Sequence, residues 1–317
     1  VNGLLFSVVQ ASRLEAFCGE NGFRFATDFD PFPEIYADRQ ALPLDKVFVH
    51  EEQYAGESTQ SKIKKVLDKA AEHGADATLL SALDEIAWTL NVRCSDVEFN
   101  PVTISYAYLS DTVNVFFVDE RKIDADVRAY LKECGVEVAP YDSVEKFLEK
   151  IKDATVLLDP NKTSDTIARS LLNCGTVYAQ SPVALLKAVK NDVQIEGTRK
   201  AMERDGVALV KLFMWIEQNV ASGSITEYDV AQKVQEFRAA SPLYRGESFG
   251  LIAGYNEHGA IVHYEPEKET ASTLHPEGML LVDTGGQYLD GTTDITRTVA
   301  LGTPTEAQRH DYTLVLK

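Results

Sequence analysis

LLVDTGGQYLDGTTDITRT, residues 280–298, sets Asp283 and Asp294 eleven positions apart, each beside an apolar run with the composition of a strand. A carboxylate in a strand that packs on a core is costly to bury unless a cation, a hydrogen-bond network or a metal offsets its lost hydration. Two such acids invite a divalent metal, although hairpins rich in Asp, Gly and Thr are also common as plain surface turns. The register decides between the two readings. A two-residue turn at Asp290 and Gly291 sets Asp294 opposite Gln287, four positions from Asp283, or ~13 Å away at ~3.3 Å per residue. Carboxylates that far apart cannot bridge ions held ~3.5–4 Å from each other. We therefore expect a connection centred near Tyr288 and Leu289, which makes Asp283 and Asp294 cross-strand neighbours on one face.

Around this stretch the pattern reads as antiparallel strands at 249–254, 259–264, 279–282 and 295–301, with glycine-containing links. Thr303 and Pro304 supply an N-cap and first-turn pair for a last helix. Upstream, 192–220 is free of proline and mostly helix-forming, and Thr226 with Asp229 opens a second helix bearing Val230, Val234 and Phe237. His263 follows Ala260, Ile261 and Val262, a run expected to be buried, so it is either a hydrogen-bonded core histidine or a group held toward substrate. His258, His275 and His310 sit in polar or helix-surface contexts.

Earlier in the chain the texture changes. A helix from Ser58 carries Ile63, Val66, Leu67, Ala70 and Ala71 on one stripe and stops at Gly74. A strand at 77–80, a helix with Ile86, Ala87 and Leu90, and strands at 103–109 and 113–118 follow. Helices near 124–133, 143–151 and 164–172 then alternate with strands at 136–138, 155–158 and 176–178, the signature of an α/β domain with a partly parallel sheet. The hand-over between the two textures falls near 182–192.

The 317 residues exceed what one core usually serves, so two domains are expected. With 49 acidic against 31 basic residues, the formal charge of −18 argues against nucleic acid and anionic lipid as partners. The densest basic stretch, 62–69, carries apolar residues at helical spacing and reads as a solvated helix face. Four scattered cysteines make neither a zinc site nor a disulfide framework, which fits a reducing, cytoplasmic setting. No apolar run of membrane-spanning length occurs, and VNGLLFSVV lacks the flanks of a secretory signal. Opening on Val1 rather than Met, the sequence suggests a start partway into a longer protein. A serine-nucleophile elbow, a dinucleotide fingerprint and a phosphate loop are all missing.

Four stretches, ALDEIAWTLNVRCSDVEFNPV at 82–102, KAVKNDVQIEGTRKAMERDGVAL at 187–209, NEHGAIVHYEP at 256–266 and LLVDTGGQYLDGTTDITRTVALGTPT at 280–305, resemble in order the Xaa-Pro aminopeptidases of the longer, three-domain cytosolic type. One departure is Cys94, where the family pattern has glycine. The resemblance implies an α/β (α+β) architecture: a creatinase-like N-terminal domain over 1–187, then the first half of a pita-bread catalytic domain over 188–317. It implies release of the first residue from peptides with proline second, through attack by hydroxide held between two divalent ions, manganese by expectation. Asp283 and Asp294 match two metal ligands, and His263 matches a histidine that contacts substrate near the scissile carbonyl. The other ligands, one histidine and two glutamates, are expected beyond Lys317, so the 317-residue chain alone is expected to be inactive. A homodimer is also implied. Prolidase or creatinase-type hydrolysis, and a noncatalytic binding relative, are the alternatives.

Overall fold

The computed structural model describes residues 1–36 and 38–317. They form two compact units, Val1–Lys190 and Asn191–Lys317.

The first unit is built on a six-stranded mixed sheet. Helix α1 (Thr59–Ala71) is capped by Ser58, whose side chain accepts from the Ser61 amide, and the chain turns at Gly74 with φ 75°. After it come β1 (Ala77–Leu80), α2 (Leu83–Thr89), β2 (Tyr106–Ser110), β3 (Asn114–Val118), α3 (Ala125–Glu133), β4 (Val136–Pro140), β5 (Thr155–Leu158) and β6 (Gly175–Tyr178). The order across the sheet is β4-β3-β2-β1-β5-β6. The β1–β2 and β2–β3 pairs are antiparallel, and the remaining three are parallel. Strands in the middle of such a sheet are covered on both faces, and β1 is accordingly buried at every position. One core cluster gathers Val66, Ile86, Leu90 and Phe116, and another gathers Leu79, Phe117, Leu148 and Leu158.

The basic stretch in α1 is not all solvated. Lys62 is only 1% exposed. Its ammonium donates to the Trp88 carbonyl at 3.0 Å and to Asn91 Oδ1 at 2.6 Å, and lies 4.4 Å from the centre of the Trp88 ring. A lysine that finds two acceptors and an aromatic face can leave water, and spacing alone does not reveal those partners.

The second unit opens on α4 (Asp192–Asn219), started by a capping box of Asn191 and Gln194, and continues with α5 (Glu227–Ala239), started by Thr226 and Asp229. Strands β7 (Tyr244–Glu247), β8 (Ile252–Tyr255), β9 (Met279–Thr284), β10 (Gly286–Tyr288), β11 (Gly291–Thr292) and β12 (Ile295–Ala300) follow. They make two antiparallel three-stranded sheets, β8-β9-β12 and β11-β10-β7. Leu212, Ile216, Val230, Val234, Ala253, Leu280 and Val282 form the core between helices and sheet.

Two expectations need correction here. Residues 259–264 are not a strand: a 3-10 turn over Asn256–Ala260 leads into a loop, and Ile261 and Val262 are 52% and 83% exposed. The last helix, α6 (Glu306–Leu316), is capped by Thr305 rather than Thr303, because Gln308 stands at the third position to complete a capping box.

Candidate active site

The acidic hairpin adopts neither register considered from sequence. Tyr288 pairs with Gly291 and Gln287 with Thr292, so the turn falls at Leu289 and Asp290. In the same frame Asp283 pairs with Thr296 and Thr284 with Ile295. Asp294, two residues before Asp283's partner, is its diagonal neighbour, a geometry with ~7–8 Å between opposed positions. Val282, Thr284, Thr293 and Ile295 are buried, while Asp283 is half-buried and Asp294 and Thr296 are exposed. Strand alternation therefore sets both carboxylates on the open face. Asp283 Oδ1 accepts from the Thr296 hydroxyl at 2.7 Å. Asp294 has no hydrogen-bond or ion-pair partner among the described residues.

Beneath that face lies a buried ionic cluster. Arg238, 1% exposed on α5, donates from Nε and Nη2 to the two oxygens of Asp205 on α4, at 2.6 and 3.1 Å. Its Nη1 donates to Glu247 Oε2 and to Thr284 Oγ1, both at 2.6 Å. Asp205, fully buried, also accepts from the Tyr288 hydroxyl at 3.1 Å and the Thr293 hydroxyl at 2.6 Å. Tyr244 donates to Glu247. Burial alone pulls the Arg238 guanidinium down, but the hydrogen bond to Asp205 and the charges of Glu247 and Asp205 hold it above its ordinary range. Burial pushes the Glu247 carboxyl up, opposed by Arg238. At the hairpin tip, Arg204 grips Asp290 bidentately at 3.0 and 2.9 Å. Gly197 lets the tip close on α4, since a Cβ there would sit 2.3 Å from the Asp290 carbonyl oxygen.

His263 is not a core histidine. It is exposed in a turn with φ 56°, on the loop that follows the 3-10 turn. That loop lies along the strand paired with Asp283: a Cβ on Gly254 would meet the Gly259 amide at 2.7 Å, and one on Gly250 would meet the Glu265 carboxylate at 1.9 Å. Ile252, opposite Asp283, stands between those two contact points in the chain. Glu227, fully buried at the start of α5, anchors the loop. Its carboxylate accepts from the Tyr255 amide at 2.6 Å, the Ser272 amide at 2.7 Å and the Tyr264 hydroxyl at 2.8 Å, and meets His258 Nδ1 at 3.0 Å.

The structure thus brings the loop of His263 along the strand that pairs with Asp283. Sequence reasoning missed the residues that hold this arrangement: Asp205, Arg238, Glu247 and Glu227. A signal for two of them was present. Asp205 follows Gly197 and Ala201 at four-residue spacing, and Arg238 follows Val230 and Val234 likewise, so each is a charge in line with a buried helix stripe.

The donor set suits a hard divalent cation: two carboxylates on one open face, one of them without a partner among the described residues. No group of three or more His, Cys, Asp or Glu side chains able to hold a metal occurs among the described residues.

Residues 38–194 match the creatinase/prolidase N-terminal domain, and residues 196–317 match metallopeptidase family M24. A probable Xaa-Pro aminopeptidase P of Aspergillus niger is 41% identical over 292 residues, covering 88% of this chain and 47% of the relative. Aminopeptidase P2 of Arabidopsis thaliana is 32% identical, covering 100% of this chain and 50% of the relative. The chain spans about half the length of these curated relatives. Among solved structures, the X-prolyl aminopeptidase of Caenorhabditis elegans, described as a cytosolic enzyme with a di-nuclear active site, superposes with a TM-score of 0.91 at 28% identity, over 99% of this chain and 53% of that one.

Proposed function

We propose, for a chain whose residues 196–317 match metallopeptidase family M24 and whose residues 38–194 match the creatinase/prolidase N-terminal domain, that the protein is a metal-dependent aminopeptidase of that family releasing the first residue from peptides with proline second. The observation that carries the reading is the open sheet face on which Asp283 and Asp294 stand, with the loop of His263 running along the paired strand. Asp283 and Asp294 would hold divalent ions, which supply Lewis-acid activation of water and of the scissile carbonyl. Two carboxylates are fewer donors than an ion pair needs, so further protein ligands belong to the proposal. His263, exposed and held by a strained turn, would donate a hydrogen bond to substrate and help hold charge that develops on the carbonyl oxygen. Thr296 fixes the rotamer of Asp283 through its 2.7 Å hydrogen bond.

The aminopeptidase reading is favoured over dipeptide or creatine hydrolysis because the curated relatives at 32–41% identity carry aminopeptidase names. Manganese as the native ion, a cytoplasmic location and a homodimer are finer parts of the proposal. Four free thiols support a reducing compartment. No helix among the described residues is long and apolar enough to cross a membrane.

The test is a manganese-dependent assay of the protein carrying this sequence on a peptide with proline second, with products separated by mass. Release of the first residue, abolished by chelation and by Asp283→Asn, is the expected result. Release that survives chelation, or cleavage on the far side of proline, would sink the reading.

A further inference from the structure

The two candidate metal carboxylates stand on opposite arms of the hairpin, Asp283 in β9 paired with Thr296 and Asp294 in the short stretch between β11 and β12. Backbone pairing in the β9–β12 pair stops at Thr284 and Ile295 and resumes in the β10–β11 pair at Gln287 and Thr292. The chains approach closely in the gap, since a Cβ on Gly285 would lie 2.0 Å from the Thr293 carbonyl oxygen. Across that stretch one backbone hydrogen bond, from the Thr293 amide to the Gly286 carbonyl at 3.0 Å, keeps the register, and side chains add to it. Thr284, directly after Asp283, accepts from Arg238 Nη1 at 2.6 Å. Thr293, directly before Asp294, donates to Asp205 Oδ2 at 2.6 Å and accepts from the Gly286 amide at 2.8 Å. Arg238 and Asp205 are joined to each other by two hydrogen bonds. A continuous buried chain, Thr284–Arg238–Asp205–Thr293, therefore spans the underside of the hairpin. Its end members point inward because their neighbours Asp283 and Asp294 point out.

We infer that this chain is the spacer that sets the separation and tilt of the Asp283 and Asp294 carboxylates, and so the affinity of the proposed metal site. The inference rests on the metal reading above. Thr284, Thr293, Arg238 and Asp205 are positioning residues: Thr284 and Thr293 act through the backbone they share with Asp283 and Asp294, and Arg238 and Asp205 act through those threonines. Groups that orient metal ligands from behind typically change affinity ten- to a hundredfold when removed. A purely structural role would instead alter unfolding and leave the affinity of the folded protein unchanged.

The experiment titrates the protein carrying this sequence with Mn²⁺, following free ion by electron paramagnetic resonance, with circular dichroism to establish that each variant is folded. Thr284→Val and Thr293→Val, near-isosteric losses of a hydroxyl, should each raise the Mn²⁺ Kd about tenfold or more. Thr293→Ser should restore it, and Thr313→Val, on the terminal helix, should leave it unchanged. Should a valine variant fail to fold, Arg238→Lys gives a second route, keeping the charge but losing the fork that reaches Thr284 and Asp205 together. Folded threonine variants that bind Mn²⁺ like the parent, while Asp283→Asn and Asp294→Asn weaken binding, would overturn the spacer and leave the metal reading standing. Unchanged binding in Asp283→Asn and Asp294→Asn would overturn the metal reading, and the spacer with it.

Discussion

Replacing Asp205 by Asn tests how much the second unit depends on the buried cluster. The carboxylate is fully buried and accepts four hydrogen bonds: 2.6 and 3.1 Å from Arg238, 3.1 Å from Tyr288 and 2.6 Å from Thr293. Asn keeps one acceptor oxygen, turns the other position into a donor facing donors, and leaves Arg238 with half its countercharge. Breaking a buried ion pair costs about 3–5 kcal/mol. Glu247 still meets Arg238 at 2.6 Å, so the lower end, about 3 kcal/mol, is the expectation for Asp205→Asn. At an m-value of about 2 kcal/mol per molar urea, the unfolding midpoint of the second unit should fall by about 1.5 M. The chain has two tryptophans, Trp88 in the first unit and Trp215 in the second. A Trp88→Phe background therefore makes urea unfolding by fluorescence report on the second unit. A midpoint shift below about 0.3 M, equivalent to roughly half a kcal/mol, would refute the claim that this ion pair holds the unit together.

Gly197→Ala should lower Tm even though alanine is worth about 1 kcal/mol in a helix, because its Cβ would meet the Asp290 carbonyl oxygen at 2.3 Å and overpacking costs about 1–3 kcal/mol; a raised Tm would show that the hairpin tip gives way freely. Glu227→Gln should free the loop it anchors, seen as faster hydrogen exchange at the Tyr255 and Ser272 amides, and unchanged protection there would disprove the anchoring role. His50 is pulled down to about 3, chiefly by burial and then by Arg93 and Lys62, and its Nδ1 has no partner. Between pH 6.5 and about 3 the unfolded chain binds the proton that folded His50 refuses, so stability is lost as pH falls through that window. His50→Leu should flatten this part of the urea-midpoint profile against pH, and an unaltered profile would place the acid sensitivity elsewhere.

Much of the α/β unit was legible because its signals are local. Strands at Ala77–Leu80 and Thr155–Leu158 fall where β-branched and apolar runs put them, and α1 begins at its Ser58 cap and ends ahead of Gly74. The same holds for Thr226 and Asp229 at the head of α5. Legibility failed where distant partners decide. Ile261 and Val262 have the composition of a strand, yet the turn at 256–260 seated against Gly254, with Glu227 gripping Tyr264 and Ser272, bends that segment out of any sheet. Lys62 was misplaced for the same reason, its acceptors lying 26 and 29 positions away.

The hairpin register shows the limit most sharply. Turn chemistry offered Asp290–Gly291, and a demand for direct carboxylate neighbours offered Tyr288–Leu289; the observed turn, at Leu289 and Asp290, lies between them. What selects it is remote. Arg204 reaches from α4 to hold Asp290 within the turn, and Asp205, the next residue along, holds Tyr288 and Thr293 on either strand. Slipping the register by one residue would point Thr284 or Thr293 away from the Arg238–Asp205 pair and turn an aspartate inward against it. An uncompensated carboxylate there costs several kcal/mol, more than a favourable turn sequence can offset. Register, carboxylate placement and the buried ion pair are thus one choice, made by residues 83 to 88 positions apart in the chain.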